Sequence, residues 1–408
     1  MSVLEKKSAL VMYHYFHPDD VVSAQHFSGL CSGLVERGWA VTAMPCNRGC
    51  RDESVSYVSS ESWRGVFIRR IWRPNFPQSS SIGRMLNASW MIVAWSLQAF
   101  LRRPDVLVVG SDPMFSVVVA IPWRILRPRT KIFHWCLDMH PEAAIADGLV
   151  DERHWTVRLL KPVMRRAYQN CDLIGSLGSC MNARLRLYTQ KVPLVPITPW
   201  ALVEPAEPLA VDSSERVLAF GEAQLGLMYS GNFGRAHDAE LFVRLARLLR
   251  TNKSIRFVFS VRGNRVDELQ RMVTRDDTNI GFLDFAPQER LEQRLSAADV
   301  HMVSLREGFS GTVVPSKFQG AIAAGRPILF SGDPASAVAG WIKEHRIGWV
   351  IDADNLDAVA AELALLGNEP QRMTELGMHC LSVYRRYFSE KIIIDRLDEA
   401  IRASDIGQ

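Results

Sequence analysis

Short apolar runs alternate along this chain with stretches whose apolar residues recur at helical spacing. In the first half the runs are Ala9 to Tyr13, Trp39 to Met44, Val66 to Trp72, Asp105 to Gly110, Lys131 to Cys136 and Asp172 to Ser176. Each is short enough for a strand, and the run to Gly110 is nearly all apolar, as expected where both sheet faces are covered. Between them the spacing predicts helices over Ser23 to Arg37, Ile82 to Leu101, Phe115 to Leu126 and Val157 to Cys171. The pattern restarts after a proline-rich stretch, Pro193 to Ser214, which reads as a linker. Strands follow at Leu225 to Ser230, Ile255 to Val261, Ile280 to Phe282, His301 to Leu305, Pro327 to Phe330 and Ile347 to Ile351. Helices are predicted over Ala239 to Leu249, Leu291 to Ala298, Leu356 to Leu366 and Ser389 to Ile401. This is the alternation of a doubly wound α/β protein, written twice.

Length agrees with that division: 408 residues exceed one core and suggest two domains of about 200 each. A formal charge of +4 suits phosphate ligands or an anionic membrane but is too weak to argue for nucleic acid. The seven cysteines form no Cys-x-x-Cys pair and have no histidines at zinc spacing, so free thiols in a reducing cytoplasm are expected. The Ala9 to Tyr13 run is too short for a signal-peptide core.

The chemistry concentrates between Val300 and Ser331. A strand leads into a loop with Gly308 and Gly311. Pro315 then opens a helix with Ser316 and Lys317 in its first turn and Phe318 to Ala324 as its body, stopped by Gly325 and Pro327. Strand, glycine loop, helix start and lysine make an anion site, or else an ordinary βαβ unit with a solvated lysine. A second glycine turn, Gly231-Asn232-Phe233-Gly234-Arg235, follows the first strand of the second half; it permits close approach of a pyrophosphate, or only tight packing. In the first half Asp138 and His140 lie just after a strand, at its ligand-binding end or as a helix cap and its neighbour. Tyr15 to Asp20 follow the first strand in the same way and are expected to face a cleft. Asp352-Ala353-Asp354 has no further ligands for a metal; Asp354 or Asn355 reads as a helix cap.

The Gly311-Thr312-Val313-Val314-Pro315-Ser316-Lys317 run, followed by Ala323-Ala324-Gly325-Arg326-Pro327, resembles the donor-binding segment of retaining glycosyltransferases of family 4, in the Pro-Ser-Lys subgroup of bacterial polysaccharide and lipid-glycan enzymes. The resemblance extends over most of the chain. It implies the GT-B fold: two Rossmann-like domains facing across a cleft, with 1–205 binding the acceptor, 206–388 binding a nucleotide sugar, and 389–408 crossing back as a helix. It implies transfer of a hexose from a UDP- or GDP-linked donor to a glycan or lipid-linked acceptor, in cell-surface polysaccharide synthesis. Arg235, Lys317, Glu307, Asp138 and His140 would carry the chemistry. Gly231, Asn232, Gly234, Phe285, Gly311, Thr312, Val313 and Ser316 would hold the donor, Phe285 beside its base. No metal or other cofactor is expected, since fixed cations and amides can stabilise the leaving diphosphate. One departure stands out: relatives carry a Glu for the donor ribose where this chain has Gly320. Two alternatives follow, a sugar-nucleotide epimerase of the same architecture and a non-catalytic scaffold.

The segment Ile82 to Leu101, with Trp90, Trp95, Arg84, Arg102 and Arg103, reads as a core helix, or as one lying on a membrane surface. Arg69, Arg70, Arg73, Lys161, Arg165 and Arg166 would join the second arrangement. The expected location is the cytoplasm, with the inner face of the plasma membrane if that helix docks.

Overall fold

A computed structural model describes residues 6–286 and 290–403. The chain divides into two compact units, Met1–Thr198 with Glu390–Gln408, and Pro199–Ser389.

The first unit holds eight described strands: β1 (Ser8–Met12), β2 (Ala40–Ala43), β3 (Ser60–Trp63), β4 (Val66–Arg69), β5 (Val106–Gly110), β6 (Lys131–Trp135), β7 (Leu173–Ser176) and β8 (Leu194–Pro196). They form one sheet in the order β3-β4-β2-β1-β5-β6-β7-β8. All pairings are parallel except β3 with β4. β5 is buried at all five positions, which is why its sequence is an unbroken apolar run. Two strands escaped the sequence reading. β3 is the polar edge of a hairpin, and β8 lies inside the stretch read as linker, so Asp172 to Ser176 is not the unit's last strand. An edge strand of three residues ending in proline carries too little periodicity to see.

The helix Glu390–Ala403 packs on the helix Val22–Glu36 within this unit. Asp395 accepts from Arg37 Nε at 2.8 Å, and Asp398 accepts from the Trp39 indole N–H at 2.6 Å. The helix Ser81–Leu101 has one buried and one exposed face. Asn87, Ala88, Met91, Trp95 and Ala99 are buried, and Trp95 donates to the Met44 carbonyl at 2.8 Å. Ile82, Met85, Val93, Leu97 and Phe100 are exposed on the other side.

The second unit holds β9 (Leu225–Asn232), β10 (Ile255–Arg262), β11 (Ile280–Leu283), β12 (Val300–Leu305), β13 (Ile328–Gly332) and β14 (Gly348–Ile351). These form a wholly parallel sheet in the order β11-β10-β9-β12-β13-β14. Tyr229, Phe242, Phe257 and Phe259 lie in the core on one face. Asn355 occupies the cap position before the helix Leu356–Leu366, but its side chain does not cap; Oδ1 accepts instead from the Asp352 amide at 3.0 Å.

Candidate functional site

In a parallel sheet every strand delivers its following loop to the same edge, and ligands gather there. Each unit has such an edge.

In the second unit the edge is built around the end of β9. Gly231 has φ +125°, a conformation open to glycine and strained for other residues, and a Cβ there would lie 2.8 Å from Lys317 Cε. The missing side chain is what lets the Lys317 stem lie along the strand end. Lys317 Nζ donates to the Asn232 carbonyl at 2.9 Å and sits 3.3 Å from His237 Nε2 and 5.1 Å over the Tyr229 ring. Burial lowers the Lys317 ammonium to about 8. His237 is lowered to about 3, by burial first and the Lys317 charge second, so it is neutral and can accept from the ammonium.

Gly263, which the sequence reading passed over, closes the neighbouring loop. Its φ is +137°, and a Cβ would lie 2.4 Å from the Phe233 carbonyl oxygen. The two loops therefore meet backbone to backbone, with Phe233 N–H donating to the Arg262 carbonyl at 2.6 Å. The Arg262 guanidinium lies 4.1 Å over the Phe285 ring, a flat cationic and aromatic pair. From β12, Arg306 N–H donates to the Ala236 carbonyl at 2.8 Å, which brings the Glu307 loop beside the turn bearing Arg235. Arg235, Glu307 and Ser316 are exposed there, and Asn232 and Gly234 flank the same turn.

The 311–316 loop differs from expectation in one respect. Thr312 is fully buried, its amide donates to the Phe309 carbonyl at 3.0 Å and its hydroxyl to the same oxygen at 2.8 Å. Its amide is thus committed to a tight turn, which Gly311 permits with φ +78°, and does not cradle an anion. The helix begins at Lys317, with Ser316 at its cap position and Val313 in the loop before it. At Gly320 a Cβ would meet only Leu295 Cδ1 at 3.9 Å, so the position of the absent Glu is open space.

In the first unit the edge brings together the ends of five strands. His14 follows β1, Asn47 follows β2, Arg73 follows β4, Asp112 follows β5, and Asp138 and His140 follow β6. Bonds beyond the strands hold the loops in line: His14 N–H to the Asp112 carbonyl at 3.1 Å, and the Leu137 and Asp138 amides to Ser111 Oγ at 2.9 and 3.2 Å. Asp138 caps nothing; the next helix, Glu142–Ala146, is preceded by Pro141 and has no side-chain cap. Its carboxyl is raised, by the protein packed around it and then by the Asp112 carboxylate. His140 is lowered, chiefly by burial.

The pair His14–Asp112 was missed from sequence. His14 Nδ1 lies 3.5 Å from Asp112 Oδ2, with the imidazole buried. Burial alone would lower His14, but Asp112 overrides it and raises the group to about 9. The Tyr15 to Asp20 loop, in contrast, is largely occupied with its own structure. Tyr15 and Phe16 are buried, His17 stacks on Trp63 at 4.6 Å, Asp19 accepts from the Cys50 amide at 2.9 Å, and Asp20 pairs with Arg51. Among the described residues no cluster of three or more His, Cys, Asp or Glu could hold a metal ion, and no helix is long and apolar enough to cross a membrane.

Residues 23–200 match the family model described as a glycosyl transferase 4-like domain. A Pseudomonas aeruginosa protein named "Probable glycosyltransferase WbjE" is 26% identical over 353 residues, covering 80% of this chain and 83% of that protein. Among solved structures, sucrose-phosphate synthase from Thermosynechococcus elongatus superposes with a TM-score of 0.71 at 14% identity, covering 99% of this chain and 100% of that one. The Anabaena protein HepE in complex with UDP and glucose gives 0.65 at 11% identity, covering 97% and 100%. The catalytic domain of starch synthase IV from Arabidopsis thaliana, bound to ADP and acarbose, gives 0.67 at 10%, covering 98% and 99%. The chain thus has the α/β GT-B fold, with two parallel-sheet Rossmann-like units.

Proposed function

We propose that this protein is a glycosyltransferase that moves a sugar from a nucleotide-sugar donor to a glycan or lipid-linked acceptor with retention, in the synthesis of a cell-surface polysaccharide. The observation that carries the reading is Lys317, a half-buried ammonium held against a glycine strand end. A diphosphate leaving there gains charge as the sugar–phosphate bond breaks, and a fixed cation in a poorly hydrated site stabilises that charge. The Arg262–Phe285 pair offers a flat surface to a base, and two fold neighbours hold a nucleoside diphosphate, UDP and ADP. Arg235 and Glu307, exposed on adjoining loops, are placed for the diphosphate and the sugar hydroxyls; Asp138 and His140 belong to the acceptor side. A panel of UDP-, GDP- and ADP-sugars in thermal-shift and nucleotide-release assays tests this. The expected result is a raised melting temperature with one donor class and acceptor-dependent nucleotide release. Failure of every donor to bind overturns it.

Lys317 can also supply the charge that a divalent ion would bring. Transfer is accordingly expected to persist in excess EDTA. Activity lost to the chelator and restored by added magnesium or manganese would contradict that assignment.

The acceptor is proposed to be lipid-linked and met at a membrane surface. On the helix Ser81–Leu101 the residues Ile82, Met85, Trp90, Val93, Leu97 and Phe100 are exposed at helical spacing, an apolar stripe too continuous for an ordinary surface. Trp90 packs edge-on against exposed Trp72 at 5.3 Å, and Arg84 and Arg103 are exposed near the two ends. The helix Ala120–Leu126 packs against both this helix and Trp155–Gln169, which exposes Trp155 and Leu159 beside Arg158, Arg165 and Arg166. Arg70 and Arg73 do not join this surface. Arg70 is buried in an ion pair with Glu61, and Arg73 is buried outright. Each cation near an anionic membrane contributes about 1 kcal/mol, and the apolar stripe adds burial. Flotation with phosphatidylglycerol-containing vesicles is expected at low salt, to weaken at high salt, and to be lost in Val93→Glu/Leu97→Glu. A protein that stays in solution at low salt would exclude this docking.

A further inference from the structure

The geometry points to a second anion site, in the first unit, where Arg73 and His14 receive an oxyanion of the acceptor. Arg73 has no exposed surface, and none of its three guanidinium nitrogens has a hydrogen-bond partner. A buried lysine or carboxyl without a partner can lose its charge; a guanidinium cannot. A buried charge left uncompensated is strongly destabilising, so a position that keeps one calls for a counterion from outside the chain.

The surroundings favour an anion over a chance cavity. The Arg73 amide donates to Asn47 Oδ1 at 2.9 Å, and the Asn47 amide donates to the Ile71 carbonyl at 3.0 Å, so the backbone carrying the guanidinium is fixed. The Cys46 amide donates to the His14 carbonyl at 2.9 Å, so Asn47, which holds the Arg73 backbone, directly follows the residue bonded to His14. Tyr15 stacks on the His14 ring with centroids 4.2 Å apart. His14 engages Asp112 through Nδ1, while its Nε2 is buried without a partner. Two unpartnered nitrogen groups, both donors when His14 is protonated, therefore lie on loops joined through Cys46 and Asn47. Both follow parallel strands, at the ligand-binding edge of the sheet. Guanidinium and imidazolium donors suit a phosphate or a carboxylate, and a planar fork can grip either with two bonds. The nitrogens are closed to solvent, so the anion enters only as neighbouring side chains move, and slow association is an expected signature.

Calling the anion part of an acceptor rests on the transferase reading above; the binding itself does not, and its test contains no transfer step. Methyl phosphate and acetate are titrated calorimetrically into the full chain, and into Arg73→Met, Arg73→Lys and Lys253→Met. One probe is expected to bind the wild type and to weaken tenfold or more in Arg73→Met, with a smaller loss in Arg73→Lys, which keeps the charge without the fork. Lys253→Met, at an exposed lysine of the second unit, should leave that binding within twofold. Preference for methyl phosphate identifies a phosphate-bearing acceptor, and preference for acetate a uronate-like one. Without ligand, Arg73→Met should hold or raise the melting temperature, because it removes an uncompensated charge. Equal binding of both probes to wild type and Arg73→Met, or binding of neither to the wild type, overturns the site. Should Arg73→Met fail to fold, unchanged affinity in Arg73→Lys does the same.

Discussion

Replacing Lys317 by alanine is expected to lower turnover of the nucleotide-sugar donor by about 10²–10³-fold, the usual effect of deleting one preorganised partner of a developing oxyanion. The expectation comes from where the ammonium sits. It is held by the Asn232 carbonyl at 2.9 Å beside Gly231 and a neutral His237, where water competes poorly for the same charge. Alanine also leaves that carbonyl without its donor, so the variant's melting temperature is checked first, and a pH profile separates the two effects. Lys317, lowered to about 8 by burial, is charged below that pH and neutral above it. In the wild type, kcat/KM should therefore fall as pH rises through about 8, because this ratio reports groups of the free enzyme. Lys317→Ala should lack that alkaline limb. Gly231→Ala should approach the same defect by another route, since its Cβ would lie 2.8 Å from Lys317 Cε at a φ of +125°. A folded Lys317→Ala protein with full turnover and an intact alkaline limb would remove the residue from the mechanism.

What was legible in the sequence is what local periodicity encodes. The βα alternation, the glycine turn at Gly231 and the Pro-Ser-Lys run all lie in short windows whose spacing has one structural meaning. What stayed hidden depends on pairings between distant strands. Nothing near His14 in sequence announces Asp112; the two meet because β1 and β5 are neighbours in the sheet. Arg73 looked like one cation in a basic, surface-bound run, because burial depends on how β4 and β2 bring Asn47 beside it. Thr312 looked like an anion-binding amide because the motif is read by order, whereas its N–H is claimed by Phe309 three residues earlier. The helix Ser81–Leu101 was hard for a different reason. Core and membrane-surface helices use the same residues, and that one face is buried while Ile82, Val93 and Phe100 are exposed on the other appears only in the folded structure.

Asp112→Asn is expected to destabilise the first unit, and to do so most at neutral and acidic pH. Asp112 lies 3.5 Å from a buried His14 and is what raises that imidazole to about 9 against the effect of burial. The folded value stands above the unfolded value of about 6.5, so the stabilisation is fully present below pH 6.5 and is lost as pH rises through about 9. One pKa unit corresponds to about 1.4 kcal/mol, so the rise from about 6.5 to about 9, net of burial, is a stabilisation of about 3 kcal/mol. For a unit of roughly 200 residues that is a fall in melting temperature of about 6–12 °C. Asparagine keeps the shape but not the charge, so burial should then hold His14 neutral at pH 7. The gap between wild type and variant should be widest at pH 6 and should narrow by pH 9.5. Removing the Asp112 charge should also let Asp138 titrate at lower pH, because that carboxylate is part of what raises it. Melting curves at pH 6, 7.5 and 9.5, with His14 followed by NMR, decide the matter. A gap independent of pH, or a wild-type His14 titrating at its ordinary value, would mean that the two side chains are neighbours without being a charge pair, and that Asp112 acts at this edge only through its backbone bond to His14.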